Sequence, residues 1–389
     1  VASERTRLSD LAKVFFRIGT LAFGGPAAHI AMMEEEVVRR RRWLTREEFL
    51  DYLGATNVIP GPNSTELAIH IGYGRRGWPG LFVAGLSFVV PATIIVMAVA
   101  WGYTRYGALP QVTGVLYGIT PVVIAIVAQA MWNLGRSAVK TPGLMGVAIA
   151  AVVASAAGVN ELAVLAGAAV AYALVRALSR SRRRAMKLAA IAGAGAAAGS
   201  AALSATSVSA AAVSGAPFSL ATLFLTFLKI GSVLFGSGYV LLAFLRSDFV
   251  QHLGWLSERQ LLDAVAVGQI TPGPVFTTAT FIGYVLGGPA GAVVATVGIF
   301  LPAFVFVAAS GPLVPRLRRS PVASAALDGI NVASLALMAI VTWQLGRLAL
   351  RDPLTIAISI VSLAALVFYR INSAWLIAAG GVVGWLVAR

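Results

Sequence analysis

The stretch DYLGATNVIPGP at residues 51–62 returns as DAVAVGQITPGP at residues 263–274, and this recurrence decides the fold of the whole chain. A proline on each side of a glycine cannot continue a helix, because each ring removes an N–H and clashes with the preceding turn. Yet Pro60-Gly61-Pro62 and Pro272-Gly273-Pro274 each lie midway along an apolar segment. An unsatisfied peptide group in lipid costs several kcal/mol, so irregular backbone at that depth has to be buried in protein or line a cavity. The two turns are therefore expected to be the bends of broken or re-entrant helices, with Gly24-Gly25-Pro26 and Gly236-Ser237-Gly238 as weaker breaks. The alternative is a pair of proline kinks needed only for packing.

Outward from the turns, the second half restates the first at an offset of 211 to 212 residues. Phe15-Phe16-Arg17-Ile18-Gly19 aligns with Phe227-Leu228-Lys229-Ile230-Gly231, and Trp43-Leu44-Thr45 with Trp255-Leu256-Ser257. Trp132-Asn133-Leu134-Gly135-Arg136 aligns with Trp343-Gln344-Leu345-Gly346-Arg347. The first half holds apolar segments near 12–33, 51–73, 80–102, 112–133, 143–158 and 161–177, and the second near 219–245, 261–286, 289–311, 322–345, 354–369 and 373–388. Three units follow: a first repeat over 1–187, a connecting transmembrane helix over 188–213, and a second repeat over 214–389. A single connecting crossing inverts the second repeat. The expected class is an all-α polytopic membrane protein of two inverted-topology repeats, with re-entrant or broken helices around the Pro-Gly-Pro turns.

Composition agrees. The 389 residues are 58% apolar and 12% charged, with 40 glycines and 17 prolines, whereas soluble domains are roughly half apolar and about a quarter charged. Runs of about twenty apolar residues suit a ~30 Å hydrocarbon core, and a transmembrane barrel would show weaker, alternating segments. The net charge of +15 points to membrane orientation and not to nucleic acid, since basic residues cluster at Arg39 to Arg42, Arg75 and Arg76, Arg180 to Lys187, and Arg316 to Arg319. If the first two segments of each half enter and leave on one side, these clusters all face the cytoplasm, as the positive-inside rule asks. Arg347 and Arg351 then fall outside, against the rule. No cysteine is present, which excludes disulfides and thiolate sites, and His29, His70 and His252 form no metal-ligand spacing. Glu4, Arg5, Arg7, Asp10, Lys13 and Arg17 make the first twenty residues too charged for a cleavable signal peptide. The start at Val1 in place of Met fits a processed or trimmed chain. No polar stretch is long enough to form a soluble domain of its own, and no cofactor is expected.

Candidate site residues come from the breaks and from buried charge. Helices starting after the turns would aim free amides at the membrane interior, as transporters do for anions. That singles out Gly24, Gly25, Pro26, Pro60, Gly61, Pro62 and Asn63 in the first half, and Gly236, Ser237, Pro272, Gly273 and Pro274 in the second. Arg17 and Lys229 share one repeat position in apolar surroundings, a placement costing roughly 2.5–3.5 kcal/mol at mid-membrane. They read either as partners of a small dianion or as residues that snorkel to headgroups. Glu66 and His70, one helical turn apart, either carry a proton or leave Glu66 to pair with His70 or Arg76. Glu34 to Glu36 before Arg39 to Arg42 reads as a solvated helix with i,i+4 pairs. Asp51 and Asp263 read as helix N-terminal residues facing the dipole, and the WNLGR and WQLGR boxes as interfacial anchors or a gate. His29 and His252 are expected at interfaces and not at a ligand.

With these residues in hand, the chain resembles the chromate ion transporter family in its long form with two fused homologous domains. The resemblance rests on Phe23-Gly24-Gly25-Pro26, on Trp43-Leu44 followed by Glu47 to Leu50, and on Pro60-Gly61-Pro62-Asn63 with Gly72-Tyr73. The second half keeps Phe235-Gly236, Trp255-Leu256, Pro272-Gly273-Pro274 and Gly283-Tyr284, but has Ser237-Gly238 in place of Gly25-Pro26. The resemblance implies export of chromate, chromate resistance, an inner-membrane location, and an inorganic oxyanion partner, with sulfate as the analogue in shape and charge. Membrane lipid is the other expected partner; nucleic acid is not one, and a homodimer is among the assemblies left open. No GxxxxGK[ST] stretch occurs, which favours a secondary mechanism. Two other readings stand beside transport of an oxyanion: a lipid-phosphate flippase or scramblase, which would use the same inverted re-entrant helices, and a membrane enzyme, for which no triad or metal cluster is visible.

Overall fold

The computed structural model describes residues 6–23, 25–107, 109–189, 217–235, 240–369 and 371–387, with backbone only over 180–189 and 311–319. The connecting helix expected over 188–213 lies almost wholly outside these residues. Gly24, Gly236 and Ser237 lie outside them too.

Every regular element among the described residues is helical. The first half runs α1 (Leu8–Leu21), α2 (Gly25–Glu34), α3 (Arg46–Thr56), α4 (Asn63–Tyr106), α5 (Pro110–Ala138), α6 (Pro142–Ala156) and α7 (Glu161–Ala189). The second runs α8 (Leu220–Val233), α9 (Leu241–Leu245), α10 (Glu258–Ile270), α11 (Thr278–Arg319), α12 (Pro321–Ala349), α13 (Pro353–Phe368) and α14 (Ser373–Val387). Among the described residues, five helices are long and apolar enough to cross a membrane: those over Asn63–Tyr106, Pro110–Ala138, Glu161–Ser179, Val275–Ser310 and Pro321–Ala349. By contrast α1 and α8 have 14 residues each, about 21 Å of helix, which falls short of a ~30 Å core.

The irregularities repeat as closely as the helices do. A π-helical stretch follows each second helix, over Glu35–Arg40 and Arg246–His252. The long helices α4 and α11 both kink where backbone leaves the helical region, at Arg76-Gly77 and at Gly287-Gly288. Capping boxes start α3 at Thr45 with Glu48, and α10 at Ser257 with Gln260. This corrects the expectation for Asp51 and Asp263. Both sit inside their helices and not at the N-terminus, and Asp263 accepts a hydrogen bond from the Tyr103 hydroxyl at 2.8 Å.

Packing interlocks the halves. Within each half the first helix lies on the long one, α1 on α4 and α8 on α11, and the two long helices meet each other. The closing helices cross over: α14 of the second half packs on α5 of the first, and α7 of the first on α12 of the second. Small residues allow both approaches. A Cβ on Gly118 would lie 1.9 Å from the Gly380 carbonyl oxygen, and one on Gly329 would lie 2.4 Å from that of Ala168. Close backbone contact at glycine and alanine is the usual means of helix association in lipid, where tails are as apolar as leucine. Trp132, Trp343, Phe368 and Trp375 are exposed on the outer faces.

Candidate functional site

The breaks of the two halves meet. The Gly61 N–H donates to the Leu234 carbonyl at 2.8 Å, and the Gly273 N–H donates to the Ala22 carbonyl at 3.1 Å. Leu234 and Ala22 are the residues that end α8 and α1. Each Pro-Gly-Pro turn thus satisfies the broken end of the other half's first helix, the internal pairing that irregular backbone inside a bilayer would need. Both turns need glycine, since Gly61 has φ +139° and Gly273 φ +90°, and Gly25, opening α2, has φ +73°.

Beside this crossing lies a cavity of about 480 Å³. Pro26, Pro62 and Asn63 line it from the first half, and Pro274, Val275 and Phe276 from the second. Asn63 donates its side-chain amide to Asn57 Oδ1 at 3.1 Å, and Asn57 also faces the cavity. Ser64, another lining residue, is buried and pairs through Oγ with His29 Nδ1 at 3.2 Å. The other ring nitrogen of His29 lies 3.2 Å from the Ala22 carbonyl. His29 is therefore fully buried and not at an interface, and it ties the start of α4 to the end of α1. Lys140 and Asp328 stand on the lining as well, with Asp328 held by Arg176 at 3.3 Å.

Glu66 and His70 sit behind the turn. Glu66 is fully buried, and among the described residues neither of its carboxyl oxygens has a hydrogen-bond partner, so it pairs with neither His70 nor Arg76. Its carboxyl group folds over the turn: a Cβ on Gly61 would come within 2.3 Å of Glu66 Oε1. His70 stacks on Tyr52 at 5.8 Å, and its Nε2 also has no partner. The second half has Thr277 and Thr278 in this region and no carboxylate.

Arg17 and Lys229 are placed elsewhere. Arg17, 59% exposed at its side chain, lies 3.4 Å from Glu36, and Lys229 pairs with Asp248. The two carboxylates stand in the two π-helical stretches, so the ion pair recurs with the repeat. Neither cation lines the cavity. The acidic-basic run also pairs within itself, Arg40 with Glu36 at 3.1 Å and Arg39 with Glu35 at 3.5 Å, though on a π-helical stretch in place of the expected α-helix.

Several lining residues were not among the candidates from the sequence, Lys140, Asp328, Asn331 and Ser334 among them. A signal existed for the last three, which recur every third residue within an otherwise apolar span.

Helices of membrane-crossing length, with broken helices that satisfy one another across two halves and a cavity at their meeting, mark an all-α, multi-pass membrane protein. The chain belongs to the chromate transporter family, whose sequence profile matches it twice, over residues 9–174 and 221–385. Similar proteins include the probable chromate transport protein of Synechococcus elongatus, 33% identical over 92% of this chain and 89% of that one. The chromate transport protein of Pseudomonas aeruginosa is 33% identical over 96% and 91%, and that of Cupriavidus metallidurans 32% identical over 98% and 93%. No solved structure matches. The flippase reading draws no support from these comparisons.

Proposed function

We propose that the protein is a secondary transporter, not an enzyme, that exports chromate and also sulfate across the cytoplasmic membrane and so confers chromate resistance. The ion binds near the midplane, between broken hairpins of two repeats that run in inverted topology, the first over 1–187 and the second over 214–389. One observation carries this reading: the reciprocal bonds from Gly61 to Leu234 and from Gly273 to Ala22, with a cavity beside them. A tetrahedral dianion accepts hydrogen bonds on all sides. The helix starts at Gly25 and Asn63 offer it the positive end of a helix dipole. Arg17 and Lys229 serve the ion only indirectly on this reading, by holding each first hairpin together through Glu36 and Asp248. Glu66 and His70 move the proton that is exchanged for the anion.

The test is flux. Purified protein in proteoliposomes should carry chromate, with sulfate as competitor, and Gly61→Leu should abolish flux while the protein remains folded. A folded wild-type chain that carries no chromate would sink the reading; fluorescent-lipid scrambling by the same vesicles would favour the flippase in its place.

A further inference from the structure

The inner face of α12 is accounted for neither by the broken helices nor by the two turns. Asp328, Asn331 and Ser334, three residues apart, lie along one side of this helix and line the cavity that Asn63 and Ser64 face. They grade from a half-exposed carboxylate at Asp328 to Ser334, which is 1% exposed. Asp328 is held by Arg176, so its charge is answered before it can repel an anion deeper in.

Ser334 is the unusual member. A serine or threonine inside a helix ordinarily returns its hydroxyl to the carbonyl one turn back, as Thr342 of the same helix does to Met338 at 2.7 Å. The Ser334 hydroxyl has no hydrogen-bond partner among the described residues. Leaving a buried donor unmade is costly, and such an atom in a native site calls for an explanation. In α5, which corresponds to α12 at the 211-residue offset, Asn331 and Ser334 are matched by Thr120 and Val123. Thr120 is satisfied by Leu116 at 2.7 Å, and Val123 has nothing to offer. Likewise Val275 and Phe276 stand in the second half where Asn63 and Ser64 stand in the first. The polar groups have been kept on one side of the pseudo-symmetry axis.

We propose that Ser334 is a substrate-binding residue: its hydroxyl donates to the transported oxyanion, with Asn331 nearer the opening, so that a single ion bridges Asn63 and Ser64 of the first half and α12 of the second. The assignment rests on the chromate-transport reading and adds that each chain has one site and not two symmetric ones. The ligand class is a tetrahedral dianion that only accepts hydrogen bonds.

Ser334→Ala removes a single oxygen and improves helix propensity, so the variant is expected to fold. Initial rates of chromate and sulfate uptake into proteoliposomes, fitted for KM and Vmax, test it against wild type and against Thr342→Ala, a control that deletes a self-satisfied hydroxyl of the same helix. The expected result is a rise of about tenfold or more in KM for Ser334→Ala, as loss of a hydrogen bond to a charged group implies, with Vmax within twofold and no rise for the control. A KM within twofold of wild type, with or without a lower Vmax, returns Ser334 to a packing role and overturns the proposal. Equal KM rises in Ser334→Ala and Thr342→Ala also overturn it, because any disturbance of α12 would then suffice. A wild-type protein that moves neither ion fails the parent reading and this one together, a result distinguishable from failure of the variant alone.

Discussion

An alanine at position 273 should harm stability more than one at position 61, although the first-half turn carries the polar groups. At Gly273 the new Cβ would lie 2.4 Å from Ala92 Cβ and 3.0 Å from the Gly19 carbonyl oxygen, where non-bonded carbons settle at about 3.5–4.0 Å. Neither neighbour yields alone, since one is fixed to the α4 backbone and the other belongs to the backbone of α1. At Gly61 the new Cβ would meet Glu66 Oε1 at 2.3 Å, the far end of a long side chain and not backbone, while Ala303 Cβ remains at 3.8 Å. Both positions have positive φ, which for an L residue costs on the order of 1–3 kcal/mol. Overpacking against fixed atoms adds roughly 1–3 kcal/mol at position 273 only. With about 2 °C of melting temperature per kcal/mol in a large domain, Gly273→Ala should melt about 2–6 °C below Gly61→Ala. Gly61→Ala should instead lose flux, because its Cβ displaces the Glu66 carboxyl group. Size-exclusion profiles of heated, detergent-solubilised protein measure the first quantity and vesicle flux the second. If the two variants melt together, or Gly61→Ala melts lower, the turns do not cross as the Gly61 and Gly273 bonds describe.

Lys229→Ala leaves the mostly buried Asp248 carboxylate without its cation and should destabilise by about 1–3 kcal/mol, whereas Arg17→Ala breaks a more exposed pair worth under about 1 kcal/mol; a loss of sulfate affinity at full stability in either variant would assign the cation to the ion instead. Glu66→Gln keeps the side chain's shape, so the protein should fold and exchange anion for anion, yet lose flux driven by a pH gradient; a wild-type response to that gradient would remove Glu66 from proton transfer. Single cysteines at Arg41 and Arg183, in a chain with no other cysteine, should both label only from the cytoplasm, and labelling from opposite faces would refute the inverted, re-entrant topology.

The breaks were legible because proline and glycine act locally. Pro60-Gly61-Pro62 interrupts a helix whatever surrounds it, and the repeat offset located its counterpart and the weaker break at Gly25-Pro26. What touches the breaks was not legible. Ala22 and Gly273 lie far apart in the chain and share a hydrogen bond only because the halves cross. His29 and Ser64, 35 residues apart within the first half, meet because α2 packs on α4. Arg17 finds Glu36, which stands in the π-helical stretch beyond α2, and no period in the sequence announces that geometry. Ser334 was hidden differently. Its spacing from Asp328 and Asn331 stands in the sequence, but the hydroxyl left unpaired among the described residues on a cavity wall, which sets it apart from Thr342, does not.

The exchange of closing helices has a mechanical consequence. Because α14 is seated on α5 and α7 on α12, neither repeat can swing as a body without dragging part of the other. The units of descent and the units of motion are therefore different objects. One composite block consists of α5, α7, α12 and α14, and the other of α1, α4, α8 and α11, each drawing equally on both repeats. The cavity lies on the seam between these composites, with Asn63 lining it from α4 of one and Ser334 from α12 of the other.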